Sequence, residues 1–394
     1  MNVQEFFEGF YAEVRKSENW RVMSETVEGS EWHREANVAV HTEMCIEHYL
    51  KHTAVTRTAR QQMLTLITLL FHDFGKPEAE ETLERKDGSG TMYNRYAGHE
   101  PVSANEFLSF MCSNEALTRS FFDQGFDWTD VRKIKWMIEN HLPYGLKNPT
   151  KRQNFRRAFE TILGDDGQCF FDQLWSDCNG RISDNHEEKR ANVITWIKEF
   201  EVQQPAPSRK MKAAGHKTMY VMVGPVGAGK TTFAQKLIAE HTNRDFTIVS
   251  EDNYRMYNYD LNLDGPARYE YWKMDPKEKY RIAWQFAADH PKEYDLIVKE
   301  MFNKALASGH DLILDRTNQT RKSRGTWIQQ AVQAGYRIET IEFYISEQVS
   351  KSRQLSRSDK QVPMGRVHHM YMGFDVPWNE IEMEAFTIIP PFQR

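Results

Sequence analysis

The stretch Gly224-Pro225-Val226-Gly227-Ala228-Gly229-Lys230-Thr231, followed by Thr232, decides the reading of the C-terminal half. It fits the pattern GxxxxGK[ST] at every fixed position. An apolar run, TMYVMVG (218–224), precedes it, and a segment of helical character, 230–241, follows. Strand, glycine-rich turn and helix in this order form a cradle for phosphate groups. Glycines let backbone N–H groups converge on phosphate oxygens, and the start of a helix adds positive potential. Lys230 can then reach the β- and γ-phosphates of a nucleotide, and the Thr231 hydroxyl can hold Mg²⁺.

Working outward, short apolar runs recur as FTIVS (246–250), DLILD (311–315) and IETIEFYI (338–345). Segments with helical character, 230–241, 277–288, 292–308 and 321–334, separate them. Buried strands alternating with helices predict an α/β domain with a parallel sheet covered on both faces. The run 246–250 ends in Ser250-Glu251-Asp252-Asn253-Tyr254-Arg255. An aspartate just past a strand, opposite the phosphate cradle, can accept a proton from an acceptor hydroxyl, and Arg255 can clamp a phosphate on that acceptor. The run 311–315 ends in Asp315-Arg316-Thr317-Asn318. Asp315 suits either the magnesium side or a substrate contact, and the spacing does not choose. For both aspartates the plainer alternative is a helix cap. Arg353 and Arg357 are four apart and predict one shared helix face. There two guanidinium groups can neutralise charge on a transferred phosphoryl group, or simply sit in solvent.

Residues 217–375 resemble the 5′-hydroxyl polynucleotide kinases of phage and bacterial RNA repair. The resemblance rests on the P-loop, the S-x-D-x-x-R of Ser250–Arg255, the D-x-T-N of Asp315–Asn318, and the R-x-x-x-R of Arg353–Arg357 with Val362-Pro363 beyond it. It implies that residues 224–232, with Arg353 and Arg357, bind ATP with Mg²⁺. Asp252 would be the general base, with Lys230 and the two arginines also catalytic. Arg255, Asp315 and Asn318 would meet the polynucleotide.

Upstream the texture differs. Segments 59–71, 101–112 and 129–141 carry apolar residues three and four apart, as amphipathic helices do. Strand-like alternation is scarce, so residues 1–200 read as an all-α domain. Residues 201–216 (EVQQPAPSRKMKAAGH) read as a linker, and 217–394 as the second domain. The first domain holds His41, the pair His72-Asp73 closing the apolar run Met63–Phe71, His99, His141 and Asp177. Imidazoles and carboxylates are the ligands that Mn, Fe, Co, Ni or Zn accept, although any one of these histidines alone suits a packed core equally. Residues 33–181 resemble the HD superfamily of metal-dependent phosphohydrolases. The wording VHT, FHDFGKP, GHE and SDCNGR is closest to the HD domains of bacterial tRNA nucleotidyltransferases. The resemblance implies one metal on His41, His72, Asp73 and Asp177, and a second on His99 and His141 with Asp73 bridging. Lys76 can contact a phosphate. Between these motifs Lys147, Lys151, Arg152, Arg156 and Arg157 interleave with Phe155 and Phe159. They suit a nucleic-acid footprint or a basic helix with core phenylalanines equally.

Composition bounds these readings. The 394 residues include 51 Lys plus Arg against 56 Asp plus Glu, a formal charge of −5, which excludes a protein that coats nucleic acid through bulk positive charge. The longest apolar run has nine residues, where a membrane span needs roughly 20. Four cysteines (Cys45, Cys112, Cys169, Cys178) without a CxxC pair fit a reducing cytoplasm. The two resemblances together imply an RNA end-healing enzyme working beside a separate ligase. It would remove 2′,3′-cyclic, 2′- or 3′-phosphates and phosphorylate 5′-OH ends of RNA or DNA. The rivals are a nucleotide-pool enzyme with a small-molecule kinase, and an HD domain gated by a P-loop nucleotide switch.

Overall fold

The computed structural model describes residues 2–28, 34–84, 86, 89–146, 148–183, 186–202, 217–377 and 383–392. Most of the expected linker, from 203 on, lies outside them, as does Lys147. The chain divides into two compact units, Met1–Ser208 with Phe392–Arg394, and Arg209–Pro391.

In the first unit the helix Ala59–Phe71 is the axis. A reciprocal capping box between Thr58 and Gln61 starts it. Every residue from Met63 to Phe71 is buried, so beyond its first turn this helix is enclosed on all sides and not amphipathic as its spacing suggests. Helices Val3–Val14, Val38–His52, Trp128–Glu139 and Gln168–Asn179 surround it. His72 forms its C-cap, which sets the His-Asp pair at the end of a rigid rod. One departure from the all-α expectation is an antiparallel hairpin, β1 (Glu81–Glu84) and β2 (Met92–Arg95). Its strands are largely solvent-exposed, so they carry no apolar alternation for sequence reading to detect.

The expected basic footprint resolves in favour of packing. In the helix Pro149–Leu163, Phe155 and Phe159 lie against Trp136 and Phe170, with ring centroids 5.3–6.4 Å apart. Arg152 pairs with Glu199 at 2.9 Å and Arg156 with Glu160 at 2.8 Å. Phe155 is core, and Phe159 is half-buried against the same rings.

The second unit is a five-stranded parallel sheet, β3 (Thr218–Val223), β4 (Phe246–Val249), β5 (Asp311–Leu314), β6 (Arg337–Phe343) and β7 (Met383–Ile389), in the order β4-β5-β3-β6-β7. The four expected strands are present, and β7 joins them parallel to β6. Central strands β3 and β5 are buried at every residue, the mark of a sheet covered on both faces. Tyr220, Met222, Ile313, Ile341 and Phe343 pack with Ala234 and Leu237 of the helix Lys230–Glu240. Between β4 and β5 the chain inserts four helices, Glu251–Leu261, Gly265–Lys273, Pro276–Asp289 and Pro291–Ala307.

Candidate functional site

The P-loop leaves β3 where the strand order reverses, with β5 on one side and β6 on the other. Open α/β sheets bind ligands at that carboxyl edge. Gly227 (φ 75°) and Gly229 (φ 92°) adopt left-handed backbone that a side chain would strain. A Cβ on Gly227 would also sit 3.2 Å from the Ser350 carbonyl oxygen and from Arg353 Cβ. Lys230 starts the helix, and its buried ammonium donates to the carbonyls of Gly224 at 2.9 Å and Pro225 at 2.6 Å. Burial pushes its pKa down to about 8. Asp315 opposes that shift, and Lys360 and Arg357 reinforce it.

The Thr231 hydroxyl donates to Asp315 Oδ2 at 2.8 Å. Asp315 therefore stands beside the hydroxyl suited to Mg²⁺. It caps no helix, because the next one, Arg321–Gln333, is capped by Thr320. Asp252 is likewise no cap, since Ser250 holds that position and Asp252 lies in the first turn. Asp252 Oδ1 accepts from Arg255 at 2.9 Å, and Oδ2 pairs with Lys360. Arg255 lies over the Tyr294 ring at 5.3 Å. Arg316 pairs with Glu251 at 2.6 Å.

Two expectations need correction. Arg353 and Arg357 do not share a helix face. The helix Glu347–Ser356 ends before Arg357, whose backbone is extended (ψ 137°). The Arg357 guanidinium grips Asp359 at 2.6 and 2.8 Å, and residues two apart do not face each other on a helix. Arg353 instead donates to the Gly227 carbonyl at 2.9 Å, and Ser350 to that of Val226 at 2.7 Å, tying this helix to the P-loop. Asn318 does not face a polynucleotide either. It is buried, with its amide donating to the Met222 carbonyl at 2.8 Å and the Leu314 carbonyl at 3.3 Å, joining the ends of β3 and β5.

A cavity of about 1180 Å³ unites the remaining groups. It runs from Lys230 and Thr231 past Asp252 and Arg255 to Tyr280 and Trp284. Arg366 lies over the Trp284 ring at 5.2 Å. Sequence reasoning missed Arg316, Tyr280, Trp284, Lys360 and Arg366. Arg316 and Lys360 stand next to recognised motifs, which was their only local signal. The others sit on helices whose cavity-facing side no pattern reveals.

The first unit gathers all six expected metal-site residues. His41 Nε2 is 3.2 Å from Asp177 Oδ1 and 3.5 Å from Asp73 Oδ2, and His72 Nε2 is 3.2 Å from Asp73 Oδ2. On the other carboxylate oxygen, Asp73 Oδ1, His99 Nε2 lies at 3.1 Å and His141 Nε2 at 3.7 Å. Three of the rings are oriented alike. Nδ1 of His72, His99 and His141 donates to the carbonyl of Leu69, Tyr96 and Ile138 respectively, each at 2.7 Å. That leaves Nε2 with its lone pair facing inward, as in histidines that ligate a metal while the other ring nitrogen is held by a carbonyl. Burial, with His99 and His72 alongside, pushes the His141 pKa down to about 3, so this ring is neutral at pH 7. Burial alone would raise the Asp73 carboxyl, but His72, Lys76 and His99 hold it well below its usual range. Lys76 is buried between Asp73, at 2.8 Å, and Glu28. It balances carboxylates there. Arg181 similarly pairs with Asp177.

The fold and the phosphate cradle define the second unit as an α/β P-loop domain. Residues 219–377 match the family described as AAA domain. Among solved structures, the chain is similar to one from the PezAT chromosomal toxin–antitoxin system of Streptococcus pneumoniae, at 16% identity, over 39% of this chain and 60% of that one, with a TM-score of 0.27. It is also similar to a gluconokinase from Sinorhizobium meliloti, at 16% identity, over 44% of this chain and 85% of that one, with a TM-score of 0.25. The chain thus spans 60% of the length of the first of these. No curated protein matches it. Among the described residues, no helix is long and apolar enough to cross a membrane.

Proposed function

We propose that this chain is a bifunctional nucleic-acid end-healing enzyme. Its second unit transfers the γ-phosphoryl group of ATP to a 5′-OH end. Its first unit is a metal-dependent phosphohydrolase that removes 2′,3′-cyclic, 2′- or 3′-phosphates. The observation that carries the kinase reading is the single cavity joining Lys230 and Thr231 to Asp252 and Arg255. At about 1180 Å³ it exceeds the range of about 300–1,000 Å³ usual for one small ligand. Donor and acceptor can therefore occupy it together. Asp252 takes the hydroxyl proton once Lys360 leaves it, Arg255 holds the acceptor's phosphate, and Lys230 with Arg353 and Arg357 bears the charge of the transferred group. An acceptor base has no purpose in a nucleotide-gated switch, which favours a transferase.

For the first unit, the residues present suit a divalent transition metal. His72 Nε2 is fully buried and faces Asp73 Oδ2 at 3.2 Å, and imidazoles with carboxylates are a fitting donor set. His41, His72, Asp73 and Asp177 would hold one ion, and His99 and His141 with Asp73 a second. When bound, two such ions activate water and steady both oxygens of an in-line displacement at phosphorus. A free cytoplasmic enzyme supplying a separate RNA ligase is the setting this reading implies.

Incubation with labelled ATP and either a 5′-OH oligonucleotide or free nucleosides tests the kinase half. Label on the oligonucleotide alone is expected. Label on nucleosides alone would replace the reading with a small-molecule kinase. Hydrolysis of a 2′,3′-cyclic phosphate with added Mn²⁺, Ni²⁺ or Co²⁺ tests the other half.

A further inference from the structure

Past Asp252 the cavity is lined by the helix Pro276–Asp289. Its Lys277, Tyr280, Arg281 and Trp284 have the spacing of residues that share one helix face, and all four line the cavity. We propose that Trp284 and Arg366 form a subsite for the second nucleotide of the acceptor strand. Trp284 is a shelf on which that nucleotide's base stacks, and Arg366 meets the phosphate that follows it. The inference rests on the polynucleotide kinase reading above and deepens it, because it makes the chain behind the 5′ end part of what is recognised.

Charge is the first support. The cavity lining holds nine Lys and Arg against four Asp and Glu, in a chain whose formal charge is −5. Several of these cations are engaged by carboxylates. Arg255 and Lys360 pair with Asp252, Arg316 with Glu251 and Arg281 with Glu278. Arg366 is exposed and, among the described residues, makes no ion pair. It rests on the Trp284 ring at 5.2 Å. A cation held on an aromatic face without a carboxylate is open to a phosphate.

The aromatic residues are the second support, independent of charge. Lys360 lies over the Tyr280 ring at 5.8 Å and also pairs with Asp252, so Tyr280 marks the place of the terminal nucleotide. Trp284 stands four residues further along the same helix, about 6 Å along its axis, in position for the next nucleotide. Other side chains hold this helix to the unit: Ala283 and Ala287 are buried, and the Phe286 ring meets Tyr259 at 5.3 Å. The half-buried Trp284 is thus left to face the cavity. A base that takes the place of Arg366 on the indole frees the guanidinium for the following phosphate. Every base has a π-face, so such a shelf accepts any sequence.

The test measures phosphoryl transfer by the full chain to three 5′-OH acceptors, a nucleoside 3′-methylphosphate, a dinucleotide and a trinucleotide. None carries the cyclic or terminal phosphate that the first unit would remove. In the wild type, kcat/KM should rise about tenfold from the first acceptor to the second, through KM, and again to the third with a steeper salt dependence. Trp284→Ala should erase the first rise, and Trp284→Phe, which keeps a ring, should retain most of it. Arg366→Ala should erase the second rise and its salt dependence. Equal kcat/KM for all three acceptors in the wild type would overturn the subsite even if a variant fails to fold. A Trp284→Ala protein that loses activity equally on all three would overturn it too, as the mark of a packing role. No transfer to any of the three would overturn the kinase reading as well.

Discussion

His41, His72, Asp73, His141 and Asp177 are each at most 3% exposed, and their rings are locked by backbone carbonyls before any ligand arrives. In the P-loop unit, by contrast, the Asp252 side chain is 25% exposed, and the working groups are bonded to one another. Lys230 rests on loop carbonyls, Thr231 on Asp315, and Asp252 on Arg255 and Lys360. The first arrangement is fixed in advance, its side chains held by internal contacts. The second must exchange internal bonds for bonds to its ligands, so each step of binding also releases a catalytic group. Preorganisation suits a resident ion, and exchange suits two substrates that come and go.

The contrast can be broken most sharply at Asp73, whose oxygens face all four histidines. Asp73→Ala is expected to lose bound metal and all hydrolysis of a 2′,3′-cyclic phosphate while kinase activity persists. Full hydrolysis by metal-free Asp73→Ala protein would end the preorganised-centre reading. Next in size is Asp252→Asn, which keeps the shape but cannot take up a proton. Its phosphorylation rate should drop by about 10²–10⁴-fold with ATP binding intact. Near-normal turnover would make Asp252 structural.

A pH titration of ATP affinity sharpens the exchange side. With its pKa lowered to about 8, Lys230 is charged below that pH and meets phosphate directly. Above it, binding must take up a proton, so affinity should fall by about tenfold per pH unit. Lys230→Arg should flatten that dependence, because a guanidinium stays charged. The smallest effect is expected from Arg353→Ala, which removes one charged hydrogen bond to the P-loop. ATP affinity measured by calorimetry should weaken by about tenfold or less.

Legibility followed how local each signal was. The P-loop is contiguous, and its glycines, lysine and threonine stand where their spacing places them. The metal-site residues are scattered over 137 positions, from His41 to Asp177, yet each sits at a helix end or turn with a recognisable setting. Arg357 was misplaced because the pairing with Asp359 outweighs helical continuation. Asn318 was assigned to the polynucleotide through the family resemblance alone, whereas here it is buried and fastens two strands together. Lys360 and Trp284 meet the cavity through tertiary packing, which leaves no periodic trace. β7, MEAFTII, has mixed polarity and follows a stretch without motifs, so only its pairing with β6 marks it as a strand.

The four-helix insertion between β4 and β5 has a consequence of another kind. It supplies Asp252, Arg255, Tyr280 and Trp284, the wall of the cavity away from the phosphate cradle, while the cradle itself hangs on β3 and its helix. On the proposed reading much of the acceptor wall comes from one uninterrupted segment of chain, with Lys360 and Arg366 completing it from beyond β6. Drift within that segment can retarget the enzyme to a new hydroxyl without disturbing the sheet, in the manner by which old folds gather new chemistries. A chimera exchanging residues 251–307 would carry much of the acceptor wall with it and leave the donor behind.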